Sequence, residues 1–321
     1  MKENLPLWKL ALKASPDSFG LIPAGFSQSV APKGNTPSVA SQSSSPSLAP
    51  QSTSPCSPLK KFDSLENNYI IGDEGEVVLE INIRLAGFGG MLPTEKFTEL
   101  TKKGVEQFQK DYMKMEVPMG KADHNTLRAI DEFSEKWIEN ISDYKCSCHA
   151  PNSLVELNNR CLGYGKGEKN EKPGIHRSLL WGISALKYYL SQQTEYKYNN
   201  ISSGYRCNAH NKVKNRKTTN HMGSAVDIQF KYSNGKLPIG RNEIDKLKKI
   251  RDDFFIKYLC AVEGWAGKKN SYRLEPIGTG KDESYSWIHI DVVKFEDEYK
   301  KDNLFVKEQL LVKGKPLLEM G

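Results

Sequence analysis

The run "SYSWIHIDVVKF", residues 284–295, alternates between apolar and polar positions. Side chains on a strand point to opposite faces with a period of two, so Ile288, Ile290 and Val292 share one face and Trp287, His289 and Asp291 the other. "SAVDIQF" repeats the pattern, with Val226, Ile228 and Phe230 set against Ala225, Asp227 and Gln229. The stretch "NNISSGYRCNAHN", residues 199–211, also reads as strand-rich. Helical periods lie between these runs. In "GIHRSLLWGISALKYYLSQQ", Leu179, Ile183, Leu186 and Leu190 recur at spacings of four, three and four, after a break at Pro173 and Gly174. "RNEIDKLKKIRDDFFIKYL" is a second amphipathic helix. Helices mixed with antiparallel strands predict an α+β fold.

Upstream, Val105, Phe108 and Tyr112 fall on one helical face, as do Leu127, Ile130, Phe133 and Trp137 of a helix that Asp123 or Asn125 would cap. "EVVLEINIRLAG" fits two periods at once. Leu79, Ile81, Ile83 and Leu85 alternate like a strand, whereas Val78, Ile81 and Leu85 suit a helix. Residues 24–59 are dominated by Ser, Pro, Ala and Gln, a composition with too little apolar surface to offset its ordering entropy, so a flexible tether is expected over residues 1–63. Within it, "LPLWKLALKA" reads either as a short amphipathic turn or as part of the disorder.

Composition narrows the function classes. The chain has 321 residues, enough for one large or two modest domains, with ordinary soluble usage of 26% charged and 38% hydrophobic residues. No apolar run is long enough to span a bilayer, and Lys9 and Lys13 interrupt any secretory signal near the start. The expectation is synthesis in the cytoplasm and export by a route that reads no cleavable signal. A net charge of +7 suits an anionic polymer, but no zinc-finger, RNA-binding or basic-zipper pattern accompanies it, so no nucleic-acid partner is expected. Lys212, Lys214, Arg216 and Lys217 read first as a solvated loop and second as an attractor of such a polymer.

Six cysteines are too few for a disulfide scaffold. Cys146, Cys148 and Cys161 with His149 would fill four positions around zinc or pair as disulfides, with Cys207 able to join them in space. Cys-x-Cys is not a usual zinc-knuckle spacing, which favours free or loosely structural thiols. HExxH, Walker and GxSxG motifs are all absent.

Asp227 sits beside the small Ala225 on the polar face of its strand, and His221 lies six residues ahead across Gly223, where the backbone can turn sharply. His289 supplies an imidazole from the other alternating strand. A lone histidine on a half-buried strand is usually only hydrogen-bonded. Two histidines and one carboxylate with a fourth position open make the pattern of a catalytic zinc.

The segments "SGYRCN", "TTNHMGSAVDI" and "SWIHIDV" resemble, in order, the signatures of the M15 group of zinc peptidases, which includes D-alanyl-D-alanine carboxypeptidases, L-alanyl-D-glutamate endopeptidases and phage endolysins. The resemblance covers roughly residues 140–310. It implies Zn2+ held by His221, Asp227 and His289, with Arg206 binding a substrate carboxylate or the developing oxyanion. Two departures stand out. One residue, Met222, separates His221 from Gly223 where the family has two, and Trp287 and Ser286 occupy positions where many members carry an acid or histidine. The nearest acids are Glu283 and Asp282. The related zinc fold of the hedgehog signalling domain places a glutamate six residues before its last histidine, which corresponds to Glu283. Full extension would hold that pair about 20 Å apart, so Glu283 as general base requires a bend near residues 284–286. Asp291 is expected to support His289 from behind.

The earlier block, from "IGDEGEVVLEINIRLAGFGG" to "HNTLRAIDEF", resembles the small peptidoglycan-binding domain found beside many wall hydrolases. Gly72, Gly75, Leu85, Gly87, Thr101 and Gly120 carry the match, which favours helix over strand at residues 76–86. The implied layout is a tether (1–63), a three-helix wall-binding module (64–138) and an antiparallel-sheet zinc peptidase with flanking helices (139–321). The implied function is cleavage of peptide stems or cross-links of bacterial peptidoglycan in the periplasm or outside the cell. The alternative is a non-catalytic peptidoglycan- or zinc-binding protein on the same fold. The setting would be an antibacterial effector of a secretion apparatus, with a cognate immunity protein, or a phage tail or lysis component; the effector is favoured.

Overall fold

The computed structural model describes residues 68–238 and 241–320; the expected tether at 1–63 lies outside the described residues. Three helices come first: α1 (Glu76–Arg84), α2 (Glu99–Asp111) and α3 (His124–Trp137). The ambiguous run is thus helical. Its two periods coexist because α1 is buried almost all round, polar Glu80, Asn82 and Arg84 included. Asn82 is satisfied by donating to the Thr94 carbonyl at 2.7 Å and accepting from Thr101 Oγ1 at 2.9 Å. Thr98 and Thr101 form a reciprocal capping box at the start of α2. Asp123 alone caps α3, accepting from the Thr126 amide at 2.9 Å, while Asn125 lies inside the helix and accepts from Arg128 instead.

β1 (Ile175–His176) leads directly into α4 (Arg177–Ser191). The sequence marks one apolar face on α4, but the helix is buried on all sides except around Lys187 and Ser191, because α1 and α3 pack on it from one side and the sheet from the other. The turn after α1 touches it so closely that a Cβ on Gly87 would stand 2.2 Å from that of Ala185. A buried ionic cluster joins the helices. Arg177 donates to both carboxylate oxygens of Glu80, at 2.5 and 2.9 Å, and Arg84 bridges Glu80 to Asp131. Burial alone would raise the Glu80 carboxyl, but the Arg177 and Arg84 guanidinium groups hold it below its ordinary range.

β2 (Tyr196–Ser203) follows, then α5 (Asn208–Val213) and β3 (Ala225–Tyr232). The strand expected over 199–211 therefore stops at Ser203; Cys207 caps α5 through its sulfur. The second amphipathic helix comprises α6 (Ile244–Ile250), a wider π turn (Arg251–Ile256) and α7 (Lys257–Leu259). β4 (Val262–Glu263), β5 (Arg273–Leu274) and β6 (Ile288–Asp291) complete a five-stranded sheet of order β2-β3-β6-β5-β4, antiparallel except between β4 and β5. β7 (Phe305–Val306) pairs with β1, and α8 (Gln309–Lys313) follows. Val226, Ile228, Phe230, Ile288 and Ile290 bury one sheet face in a core shared with α1–α4 and the 244–259 helix. The other face carries the site.

Candidate metal centre

β3 and β6 are neighbours, and their register places Asp227 directly opposite His289, with Ala225 opposite Asp291. The alternation that sends Val226 and Ile288 into the core necessarily presents these polar side chains together on the far face. His289 Nδ1 lies 2.7 Å from Asp227 Oδ1, and its Nε2 lies 3.0 Å from Asp291 Oδ2. Arg273 on β5 holds Asp291 in turn, through Nε at 3.0 Å and Nη2 at 2.7 Å.

His221 arrives from the tight turn before β3. The Ser224 amide donates to the Asn220 carbonyl, and Gly223 adopts a φ of 117°, a region that L side chains rarely enter. A Cβ there would also stand 2.4 Å from the Gly174 carbonyl oxygen. The shortened spacing thus forms a compact turn that brings His221 Nε2 to 3.3 Å from Asp227 Oδ1. The Gly204 carbonyl accepts from His221 Nδ1 at 2.9 Å, which fixes the tautomer. Burial holds His221 below its ordinary pKa, against the opposing pull of Asp227.

His221 Nε2 faces a carboxylate oxygen of Asp227. Burial would raise the Asp227 carboxyl, but His221 and His289 together hold it well below the carboxylate range. Asp227 Oδ1 is therefore the point on which both imidazoles converge. Tetrahedral zinc with ligands at about 2.0 Å has ligand–ligand edges of about 3.3 Å, which matches the His221–Asp227 separation. The His289–Asp227 pair would open by roughly 0.6 Å to admit the ion. The buried trio His221, Asp227 and His289 therefore fits a divalent metal, and its ligand atoms lie within 4.8 Å of one another.

Beyond the trio lies an open cleft of about 300 Å³, lined in part by Arg206, Arg216, Trp265, Glu275, Glu283 and Trp287. Arg206 is partly engaged already: Nη2 donates to Asp227 Oδ2 at 2.9 Å and Nε to Ser203 Oγ at 2.8 Å. Of the basic run, Arg216 reaches the cleft while Lys212, Lys214 and Lys217 are exposed. The chain does bend before His289, through reciprocal backbone bonding of Ser284 with Pro276 and Gly278. Glu283 lies on the cleft wall, its carboxylate accepting from the Gly280 amide at 2.5 Å.

Glu275 is the residue that sequence reasoning missed. It follows β5, its amide reaches the His289 carbonyl at 3.4 Å, and Trp287 Nε1 donates to its carboxylate at 3.1 Å. Burial raises its pKa above the ordinary value, against the opposing pull of His289. In "RLE" the buried Leu274 puts Arg273 and Glu275 on the opposite face, a signal visible in the chain, but nothing local reveals that this pair lies alongside His289.

A second convergence lies nearby. Cys146, Cys148, Cys161 and Cys207 are all buried with their sulfurs within 4.8 Å of one another, whereas His149, an expected member of the group, is exposed. Among the described residues no helix is long and apolar enough to cross a membrane. In comparisons with known proteins, no family model and no curated protein matches this chain.

Proposed function

We propose that this chain is a zinc-dependent peptidase that cleaves peptide stems or cross-links of bacterial peptidoglycan. The observation that carries the reading is the pairing of a buried His-Asp-His trio, one side open, with a cleft bearing both basic and acidic side chains. The likeness of its three segments to M15 signatures supports the substrate class. A zinc ion held by His221, Asp227 and His289 would supply a water of lowered pKa and a positive charge for the scissile carbonyl.

The protein's own groups divide the remaining work. Asp291 orients His289, and Gly204 orients His221, so the ligand geometry is set before substrate enters. Arg206, already steadied by Ser203, lies where its guanidinium can meet a substrate carboxylate or a developing oxyanion. Glu275 and Glu283 are the two cleft carboxylates able to carry a proton to the leaving amine. Burial tunes Glu275 toward that task by raising its pKa. Export to a rival's wall by a secretion apparatus, with a cognate immunity protein in the producer, remains our favoured setting. α1–α3 would supply wall affinity, raising the effective concentration of an insoluble substrate.

A non-catalytic wall- or zinc-binding role is the second reading, favoured by the engagement of Arg206 with Asp227 and of Glu283 with Gly280. Digestion of purified peptidoglycan by the zinc-loaded wild type and His289→Ala, with mass spectrometry of the released muropeptides, separates the two. The wild type should release fragments that define the scissile bond and the variant none; equal release by both would overturn the peptidase reading.

A further inference from the structure

The segment from residue 145 to residue 173 has almost no core of its own. Its only regular features are short 3-10 turns, and its buried residues are Cys146, Cys148, Val155, Cys161 and Gly163. Its leucines face outward, Leu154 at 77% and Leu162 at 99% exposure. A stretch this long without secondary structure needs a fastening other than apolar burial. Its three buried sulfurs point instead at a fourth, Cys207, beyond the end of β2.

We propose that Cys146, Cys148, Cys161 and Cys207 bind one zinc ion as a tetrathiolate, a structural metal site separate from the His-Asp-His centre. Tetrahedral zinc with sulfurs at about 2.3 Å has S–S edges of about 3.8 Å, and Cys148 and Cys161 stand 3.4 Å apart. Every sulfur also receives a backbone N–H. Cys161 donates to Cys148 at 3.2 Å, while Gly163 to Cys161, Cys207 to Cys146 and His210 to Cys207 are each 3.4 Å. Amides aimed at sulfur stabilise thiolates, the form that binds metal. All-sulfur tetrahedral coordination selects zinc or iron over the hard cations.

The site has a structural consequence for its neighbour. Cys207 follows Arg206, whose amide donates to the His221 carbonyl at 2.8 Å, and Gly204 accepts from the His221 ring. Tyr205 is tied to Tyr144 by a 2.7 Å backbone bond. A tetrathiolate ion would therefore pin the strip 204–207 that positions both His221 and Arg206.

The test uses the full chain carrying His289→Ala, Cys56→Ser and Cys260→Ser, so that zinc in the other centre and thiols outside the cluster are removed. The purified protein should hold one zinc per chain. Its cobalt form should show sulfur-to-cobalt charge-transfer bands, and a mercurial reagent should release the zinc as four thiols react. Adding Cys161→Ser should reduce the zinc content to near zero. Four freely reactive thiols without metal, a mass lowered by two hydrogens per disulfide, or a ferric-thiolate spectrum from bound iron would each overturn the assignment. Because the metal is counted on the unmodified cluster, the result stands even if the Cys161→Ser chain does not fold. It is also independent of whether the wild type cleaves peptidoglycan.

Discussion

Zinc loading of the metal-free protein should expel a proton from His289. Each ring nitrogen faces a carboxylate oxygen, Asp227 at 2.7 Å and Asp291 at 3.0 Å. An ionised carboxylate only accepts, so the ring must donate on both sides and is an imidazolium. Burial opposes this charge, but the two carboxylates outweigh it and push the group up to about 10. Coordination through Nδ1 takes the lone pair that the proton occupies. At pH 7 the competition spans about three pH units, or roughly 4 kcal/mol, and the apparent affinity should rise about tenfold per unit until the group titrates. Calorimetric titration of the His-Asp-His centre with zinc at pH 7.5, on protein whose cysteine cluster is already zinc-loaded and in buffers of different ionisation enthalpy, should give a slope near one proton released. Chelator competition at pH 7 and 8 should show the tenfold change. Zinc binding with no proton release and no pH dependence would refute the charged-ring argument. The same ion pairing stabilises the metal-free fold. With a pKa raised above the unfolded value near 6.5, its contribution is complete below that pH and lost as pH rises through about 10. Metal-free protein should thus lose stability across that window.

Asp291→Asn keeps an acceptor for His289 but removes the charge that Arg273 holds, and zinc affinity should fall about 10- to 100-fold in a chelator titration; an unchanged affinity would remove Asp291 from the site. Glu275→Gln should lower kcat for peptidoglycan hydrolysis about 10²- to 10⁴-fold with zinc content intact, whereas an unaffected kcat would leave the proton transfer to Glu283. Arg177→Met strands most of the Glu80 charge in the core, and urea unfolding should report a loss of about 3–5 kcal/mol. A loss under 1 kcal/mol would mean that Arg84 alone compensates Glu80.

Alternation carried most of what was readable in the sequence. A period of two assigned both faces of β3 and β6, and because the strands proved adjacent, Asp227 and His289 met without further instruction. The helical period found α2, α3 and α4, yet underestimated α4, whose exposed-looking Arg177, Ser178 and Ser184 are buried against partners far away in the chain. Pairing partners were the hidden part. β5 has two residues, too few to carry a pattern, so its delivery of Arg273 and Glu275 to the site depends on long-range register. The cysteines were legible in part: Cys207 was expected to join Cys146, Cys148 and Cys161 in space and does, whereas His149 is exposed. Spacing rules describe ligands within one loop, and Cys207 joins its three partners only through the fold.

The ionic cluster of α1 also bears on how the protein is made. Arg84 donates to the carbonyl of Lys315, 231 residues away, and Asp131 accepts from the amide of Leu317. Trp181 on α4 reaches the carbonyl of Val312 at 3.1 Å. On the ribosome the N-terminal helices emerge first, and at usual elongation rates the residues that complete their polar contacts follow roughly ten to fifty seconds later. During that interval the nascent helices hold charged groups whose final partners do not yet exist, so their closure should wait until residues 312–317 have been made. Any passenger fused after residue 320 would then be translated against a folding event just under way, whereas one placed before α1 would not.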